Sequence, residues 1–282
     1  MLRKIALLFV LLSSISLSAE QSESKSVLLA ILARNKAHVL PKFLSCIDAL
    51  EYDKSAITIY VDTNNNDDET EEMLEAWQQK NRSLYKDILF KKHHVEGLPQ
   101  TGPHDWGQHP ERFSVLARIR NESLRKAQEL QTDFYFVVDC DNFIIPQTLQ
   151  VLVDKDKPII APMLKAIPKP NDPYTNFFAA VSENGYFKSH PEYGEILKRQ
   201  KIGTFKVPLV HCTYLIKTEY LDRLSYIDGT SDYEFAIFSR EARKNGVDQY
   251  ICNEQDFGTL VHMPEEATME EEKAAIAQWV SG

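Results

Sequence analysis

Phe134-Tyr135-Phe136-Val137-Val138-Asp139-Cys140-Asp141-Asn142 is the stretch on which the fold turns. Five consecutive apolar residues read as a buried strand that stops at two carboxylates one residue apart. In an extended chain alternate side chains share a face, so Asp139 and Asp141 are expected to converge on one hard cation while Cys140 points away. Oxygen ligands of this kind suit Mn2+ or Mg2+, held by one or two carboxylates together with substrate phosphates. Two solvated aspartates in a loop after a strand would carry the same letters.

Working outward, residues 27–32 read as another fully buried strand, ending at Ala33-Arg34-Asn35, and 38–50 has helical spacing with Leu40, Phe43, Leu44 and Ile47 on one side. A β-branched strand over 56–61 ends at Asp62 and an Asn/Asp-rich loop. A helix over 69–81, a strand over 88–91 and a long helix over 114–130 lead back to the strand at 134, and 158–162 is a further short strand. Strands and helices alternating at this pace imply βαβ units and a mainly parallel sheet, with ligands at the carboxyl ends of the strands. Arg34, Asn35, Asp62, Asp139 and Asp141 all fall just past strand ends. The second half is less regular: a turn region at 169–173, a single strand over 207–216 carrying His211, a helix over 234–245, a strand over 249–252 and a terminal helix over 270–280. No internal repeat or linker divides the chain, and one α/β domain over 27–282 is expected.

Residues 1–19 form a separate object. Arg3 and Lys4 precede an apolar run and a small-residue stretch ending at Ala19, the layout of a cleaved secretory signal, too short in its apolar core for a comfortable membrane span. Residues 20–26 are a polar linker. The expected location is a secretory lumen, the periplasm or the exterior, with no membrane span left after cleavage. The net charge of −9, about −11 without Arg3 and Lys4, argues against a nucleic-acid surface. Cys46, Cys140, Cys212 and Cys252 are widely spaced with no Cys-x-x-Cys, which argues against a zinc or thioredoxin-type site and leaves disulfides and free thiols both open. Asn81 and Asn121 begin Asn-x-Ser patterns for N-glycosylation.

A series of short motifs resembles, in order, the amino-terminal glycosyltransferase domain of the procollagen galactosyltransferase and cerebral endothelial cell adhesion molecule family. It runs through Ile31-Leu-Ala-Arg-Asn35, Val138-Asp-Cys-Asp-Asn-Phe143, Pro146-Gln-Thr-Leu149, Ile160-Ala-Pro-Met-Leu164, Asn176-Phe177, Gly185-Tyr-Phe-Lys188, the segment from Val207 to Ile216, and Tyr250-Ile-Cys-Asn253. The resemblance covers nearly all of the chain after the leader. It implies a GT-A fold, a Rossmann-like nucleotide half joined to an acceptor half, and a UDP-sugar donor used with Mn2+. The full collagen enzymes carry a second glycosyltransferase domain and this sequence lacks a Lys-Asp-Glu-Leu-type tail, so the acceptor is left as a hydroxyl on protein or glycan.

The resemblance also implies roles. Asp139 and Asp141 would hold the metal and the donor diphosphate, with a late histidine, His262 or His211, as a further metal ligand; His211 reads equally as a hydrogen-bonded core histidine. Arg34, Asn35 and Asp62 would line the uridine, and Arg120-Asn121 resembles an Arg-Asn pair that contacts the nucleotide in related transferases. Asp232 and Glu234 match a late acidic pair in position, with Asp232 the expected base for an inverting transfer of galactose or glucose; a helix N-cap would look the same. Trp106 is placed to stack on a sugar or to anchor its loop. The competing reading is an inactive GT-A-like binding or adhesion module, and no nucleophile motif supports a hydrolase.

Overall fold

The computed structural model describes residues 24–98, 110–167, 173–264 and 266–281. The leader at 1–19, residues 20–23 of the linker and the loop carrying Trp106 therefore lie outside the described residues. β1 (Val27–Ala33), α1 (Leu40–Asp48), β2 (Ile57–Asn64), α2 (Thr70–Asn81) and β3 (Asp87–His93) alternate as the periodicity predicts, followed by α3 (Pro110–Glu129) and β4 (Phe134–Val138). Next come β5 (Asn142–Ile144), α4 (Thr148–Asp154), β6 (Ile159–Pro162), β7 (Lys165–Ile167), β8 (Phe177–Phe178) and α5 (Pro191–Leu197). The chain ends with β9 (Thr204–Val207), β10 (Leu209–Val210), β11 (Thr213–Lys217), α6 (Glu234–Lys244), β12 (Gln249–Cys252), β13 (Gly258–Val261) and α7 (Met269–Ser281).

The main sheet has the order β3-β2-β1-β4-β11-β6-β12-β9. Its first four strands are parallel, with Val27 opposite both Ile57 and Phe134, and β11 then enters antiparallel against β4. Alternate residues of β1 serve opposite faces. Val27, Leu29 and Ile31 pack with α1 and α2, whereas Leu28 and Ala30 pack with Ala117, Leu124 and Ala127 of α3 and Phe238 of α6. Burial on both faces is why these strands read as continuous apolar runs. The chain moves from β1 outward to β2 and β3, then returns to β4 on the other side of β1. The strand order thus reverses between β1 and β4, and the crevice beyond their carboxyl ends is where a doubly wound sheet binds ligands. Residues 34–36 and 139–141 both open onto it.

The single strand expected over 207–216 is broken in three. Pro208, which has no N–H to give a ladder, separates β9 from β10, and Cys212 adopts a left-handed φ of 65° between β10 and β11. His211 sits in that break, not within a strand. A small second sheet, β5-β13-β7, was invisible to periodicity because its strands are three or four residues long. All four cysteines are free thiols. Asn81 is buried within α2, its amide donating to the Trp77 carbonyl, and Asn121 is held within α3, so neither Asn-x-Ser match is presented as a free surface acceptor. Among the described residues no helix is long and apolar enough to cross a membrane.

Candidate active site

The two carboxylates come together by a different route from the one their spacing suggested. Asp139 is the first residue past β4, and its carbonyl accepts from the Asn142 N–H at 2.9 Å, closing a turn over 139–142. The turn, and not an extended segment, brings Asp139 and Asp141 to the cleft, while Cys140 faces the core under Leu32. Its backbone is tied on both sides: the Asp139 N–H donates to the Cys212 carbonyl at 3.3 Å, and the Asp141 carbonyl accepts from the Val261 N–H at 2.9 Å. Buried Asn142 donates to Thr213 Oγ1 at 2.7 Å and fixes the turn against β11.

Each carboxylate faces a cation. Arg120 Nη2 donates to both oxygens of Asp139, at 2.8 and 3.1 Å, and Lys36 Nζ lies 2.7 Å from Asp141 Oδ2. Both acidic side chains keep 24% of their surface although protein crowds around Asp139, the situation of groups on a cleft floor. Burial pushes the Asp139 carboxyl up, against the pull of Arg120 and with a further push from Asp141.

Arg120 belongs to the stripe Ala117, Arg120, Leu124, Ala127 that α3 turns toward the sheet, so helical geometry carries its guanidinium inside. Burial works to lower its pKa, but Asp139, Tyr214, Tyr226 and Glu234 together hold it well above the ordinary arginine value. Its Nε is 3.6 Å from Glu234 Oε1, the guanidinium lies 5.8 Å from the centre of the Tyr226 ring, and neither Nε nor Nη1 makes a hydrogen bond. Burial raises the Glu234 carboxyl, partly offset by Arg120.

His211 and His262 both approach through Tyr174. His262 stacks on that ring at 3.8 Å and 7°, and His211 meets it edge-on at 5.8 Å. His211 is buried, with Nδ1 2.8 Å from Cys212 Sγ and no well-formed hydrogen bond at Nε2. Burial lowers its pKa to about 4; the Thr175 backbone pulls the other way, and Arg120 and His262 lower it further.

The nucleotide-side residues divide. Asp62 is buried at the end of β2, accepting from Tyr60 Oη at 3.1 Å, facing His93 Nε2 at 2.8 Å and Lys91 Nζ at 3.5 Å. Asn35, at φ 53°, staples two loops: its N–H donates to Asn66 Oδ1 and its Oδ1 accepts from the Asp67 N–H. Arg34 Nε reaches the Asn65 carbonyl at 3.4 Å. Asn121 accepts from the Tyr226 N–H at 2.9 Å, fixing the loop after β11. The acidic pair also divides. Asp232 lies at the rim, partly exposed, accepting from Tyr186 Oη at 2.9 Å and Arg240 Nη2 at 2.9 Å, whereas Glu234 points inward to Arg120. Desolvation pushes the Asp232 carboxyl up, but Arg240, Tyr186 and Thr230 outweigh it and hold it below the usual range. The α6 N-cap is Tyr233 with no side-chain cap, so Asp232 is not the capping group.

The profile described as glycosyltransferase family 25, N-terminal domain, matches residues 24–279. The chain belongs to this family. Human procollagen galactosyltransferase 2 is 35% identical over 248 residues, covering 84% of this chain and 39% of that protein. Mouse inactive glycosyltransferase 25 family member 3 is 31% identical over 259 residues, covering 88% and 43%. This family 25 chain thus spans about two-fifths of the curated relatives it matches. Among solved structures, GalNAc-T7 with UDP, GalNAc and Mn2+ superposes with a TM-score of 0.57 at 15% identity over 88% of this chain and 46% of that one, and the shared architecture is the GT-A fold.

The donor set of this family 25 domain fits a hard divalent cation shared with a substrate. It offers two partly exposed carboxylates at a strand end. It does not form a closed protein cage: among the described residues no three His, Cys, Asp or Glu side chains are grouped to hold a metal. His211 is turned into an aromatic pocket with Phe178 and Phe235, and His262 is stacked flat on Tyr174. Sequence reasoning missed Lys36, Tyr174 and Asn142. Lys36 directly follows the Arg34-Asn35 pair at the end of β1, and that adjacency was the available signal.

Proposed function

We propose that this domain transfers a hexose, galactose or glucose, from a UDP-sugar to a hydroxyl on a protein or glycan acceptor, with inversion and with Mn2+ or Mg2+. The observation that carries the reading is the carboxylate pair on the cleft floor at the reversal between β1 and β4, with Arg120 against it. Asp139 and Asp141 would hold the cation, which supplies charge neutralisation for the departing UDP. Asp62, its own carboxylate buried, holds the partly exposed His93 and Lys91 at the ends of β2 and β3, where they would face the nucleoside. Arg120, buried between Asp139 and Glu234, holds positive charge beside the position the diphosphate would take. Asp232, at the accessible rim, is the base for the acceptor proton, kept ionised by Arg240 and Tyr186. Glu234 balances the Arg120 charge from the far side. The apolar leader at 1–19 supports action in a secretory lumen, the periplasm or the exterior.

A second reading, a binding module without turnover, is favoured by the occupation of both carboxylates by the chain's own cations. Titrating UDP with and without Mn2+, then repeating with Asp139→Ala and Asp141→Ala, separates the two. Metal-dependent UDP binding lost in both variants supports the transferase. Absence of UDP binding, or indifference to metal and to both substitutions, rejects it.

A further inference from the structure

Lys36 is the unexpected member of the site. Its backbone is fixed: the Lys36 N–H donates to Thr70 Oγ1 at 2.6 Å, and the flanking N–H groups of Asn35 and Ala37 donate to Asn66 Oδ1 and Asp68 Oδ2. Only the flexible stem can move the ammonium. Among the described residues Nζ has one hydrogen-bond acceptor, Asp141 Oδ2, and the side chain keeps 23% of its surface. An ammonium carries three donors, so the contact with Asp141 leaves capacity for further acceptors. A divalent cation bound at Asp141 would meet this ammonium at close range, where like charges repel strongly in a crowded cleft. The carboxylate has lone pairs for both, but the charge repulsion sets the ammonium against the metal at that oxygen.

We propose that Lys36 is a resident counter-cation: it occupies Asp141 in the free domain, yields that oxygen to the entering metal, and passes its ammonium to the donor diphosphate. This rests on the assignment of Asp139 and Asp141 as the metal and diphosphate site. It makes metal and nucleotide binding mutually supportive, because displacing Lys36 is unfavourable for the metal alone and is compensated once phosphate oxygens accept the ammonium.

The test measures Mn2+ binding to the full chain by the electron paramagnetic resonance signal of free Mn2+, with and without UDP. Lys36→Met and Lys36→Gln are compared with the unsubstituted protein, two variants guarding against a folding defect in one. The expected result is Mn2+ binding about tenfold tighter without UDP in both variants. The factor by which UDP tightens Mn2+ should fall by a similar amount. Unchanged or weaker Mn2+ binding without UDP in both variants overturns the role of Lys36. Asp141→Asn distinguishes the two failures: if it leaves Mn2+ binding unaltered, the metal assignment falls and the Lys36 proposal with it. If it abolishes binding while the Lys36 variants are no tighter, only the Lys36 proposal falls.

Discussion

Arg120 holds both oxygens of Asp139 through a single nitrogen, Nη2, from a buried position two turns before the end of the apolar stripe of α3. The pair therefore ties the α3 side of the sheet to the turn at the end of β4. Removing the guanidinium would leave Asp139 and Glu234 facing each other across a crowded space with no cation between them. Arg120→Met is expected to destabilise the fold by about 3 kcal/mol, the low end for breaking a buried pair because Asp139 keeps some solvent contact. Arg120→Lys should recover less than half of that, since a point ammonium cannot reach both acids as the planar fork does. Denaturant midpoints at constant slope measure both; a shift below about 0.5 kcal/mol in Arg120→Met would place the pair in the class of ordinary surface contacts.

His211 carries a prediction of opposite chemistry. Burial, reinforced by Arg120 and His262, lowers its folded pKa from 6.5 to about 4, so the folded state prefers it neutral. The unfolded chain takes up a proton first as pH falls. Stability is therefore full above pH 6.5 and is lost progressively down to about pH 4, amounting to about 2 kcal/mol by pH 5. His211→Gln should lack this component, and the difference between variant and unsubstituted protein in urea unfolding at pH 7.5 and pH 5 isolates it from other titrations. Parallel pH profiles in the two proteins would mean that the imidazole is hydrated in the folded state.

Asp232 titrates the other way. Its carboxyl is held below 3.8, by Arg240, Tyr186 and Thr230 acting against desolvation, so the stability it contributes is present above that value and disappears as pH falls through the lower folded pKa. In the proposed reaction the same shift sets the acid limb of kcat/KM below the ordinary carboxylate range. Arg240→Leu removes the strongest opposing contact and should move that limb upward, toward the ordinary carboxylate range. Asp232→Asn should remove the limb together with nearly all transfer while leaving metal-dependent UDP binding intact. Transfer surviving in Asp232→Asn would shift the base assignment to Glu234.

The legible and illegible parts of the site differ in physical kind. The strand at 134–138 and its terminal acids were readable because burial on both faces writes an uninterrupted apolar run. The crevice between β1 and β4 followed from βαβ alternation alone. What periodicity could not reveal were the interactions closed by backbone geometry: the turn over 139–142, the left-handed Cys212 that breaks the long expected strand, and the three short strands that brace the turn. Lys36 was missed for another reason. A lysine after a strand is ordinarily a solvated surface charge, and only the return of β4 beside β1 brings Asp141 to it.

The bracing of that turn makes a last prediction, at Gly258. This residue pairs with Ile144 where β13 meets β5, at φ +124°, in a conformation that disfavours side chains. A Cβ there would lie 2.0 Å from the Phe143 carbonyl oxygen, a backbone atom that no rotamer change can move aside. Gly258→Ala must therefore separate β13 from β5, and with it loosen the bond from Val261 N–H to the Asp141 carbonyl. The cost is expected at about 2–3 kcal/mol from combined steric and backbone strain. Amide hydrogen exchange should show the loss concentrated at residues 141–145 and 258–262, with β1 to β3 retaining their protection. Because those residues hold Asp141, UDP-dependent Mn2+ binding should weaken in the same variant although no ligand-facing side chain has changed. Unaltered exchange at 141–145 would show that the turn is held by Asn142 and Cys212 alone.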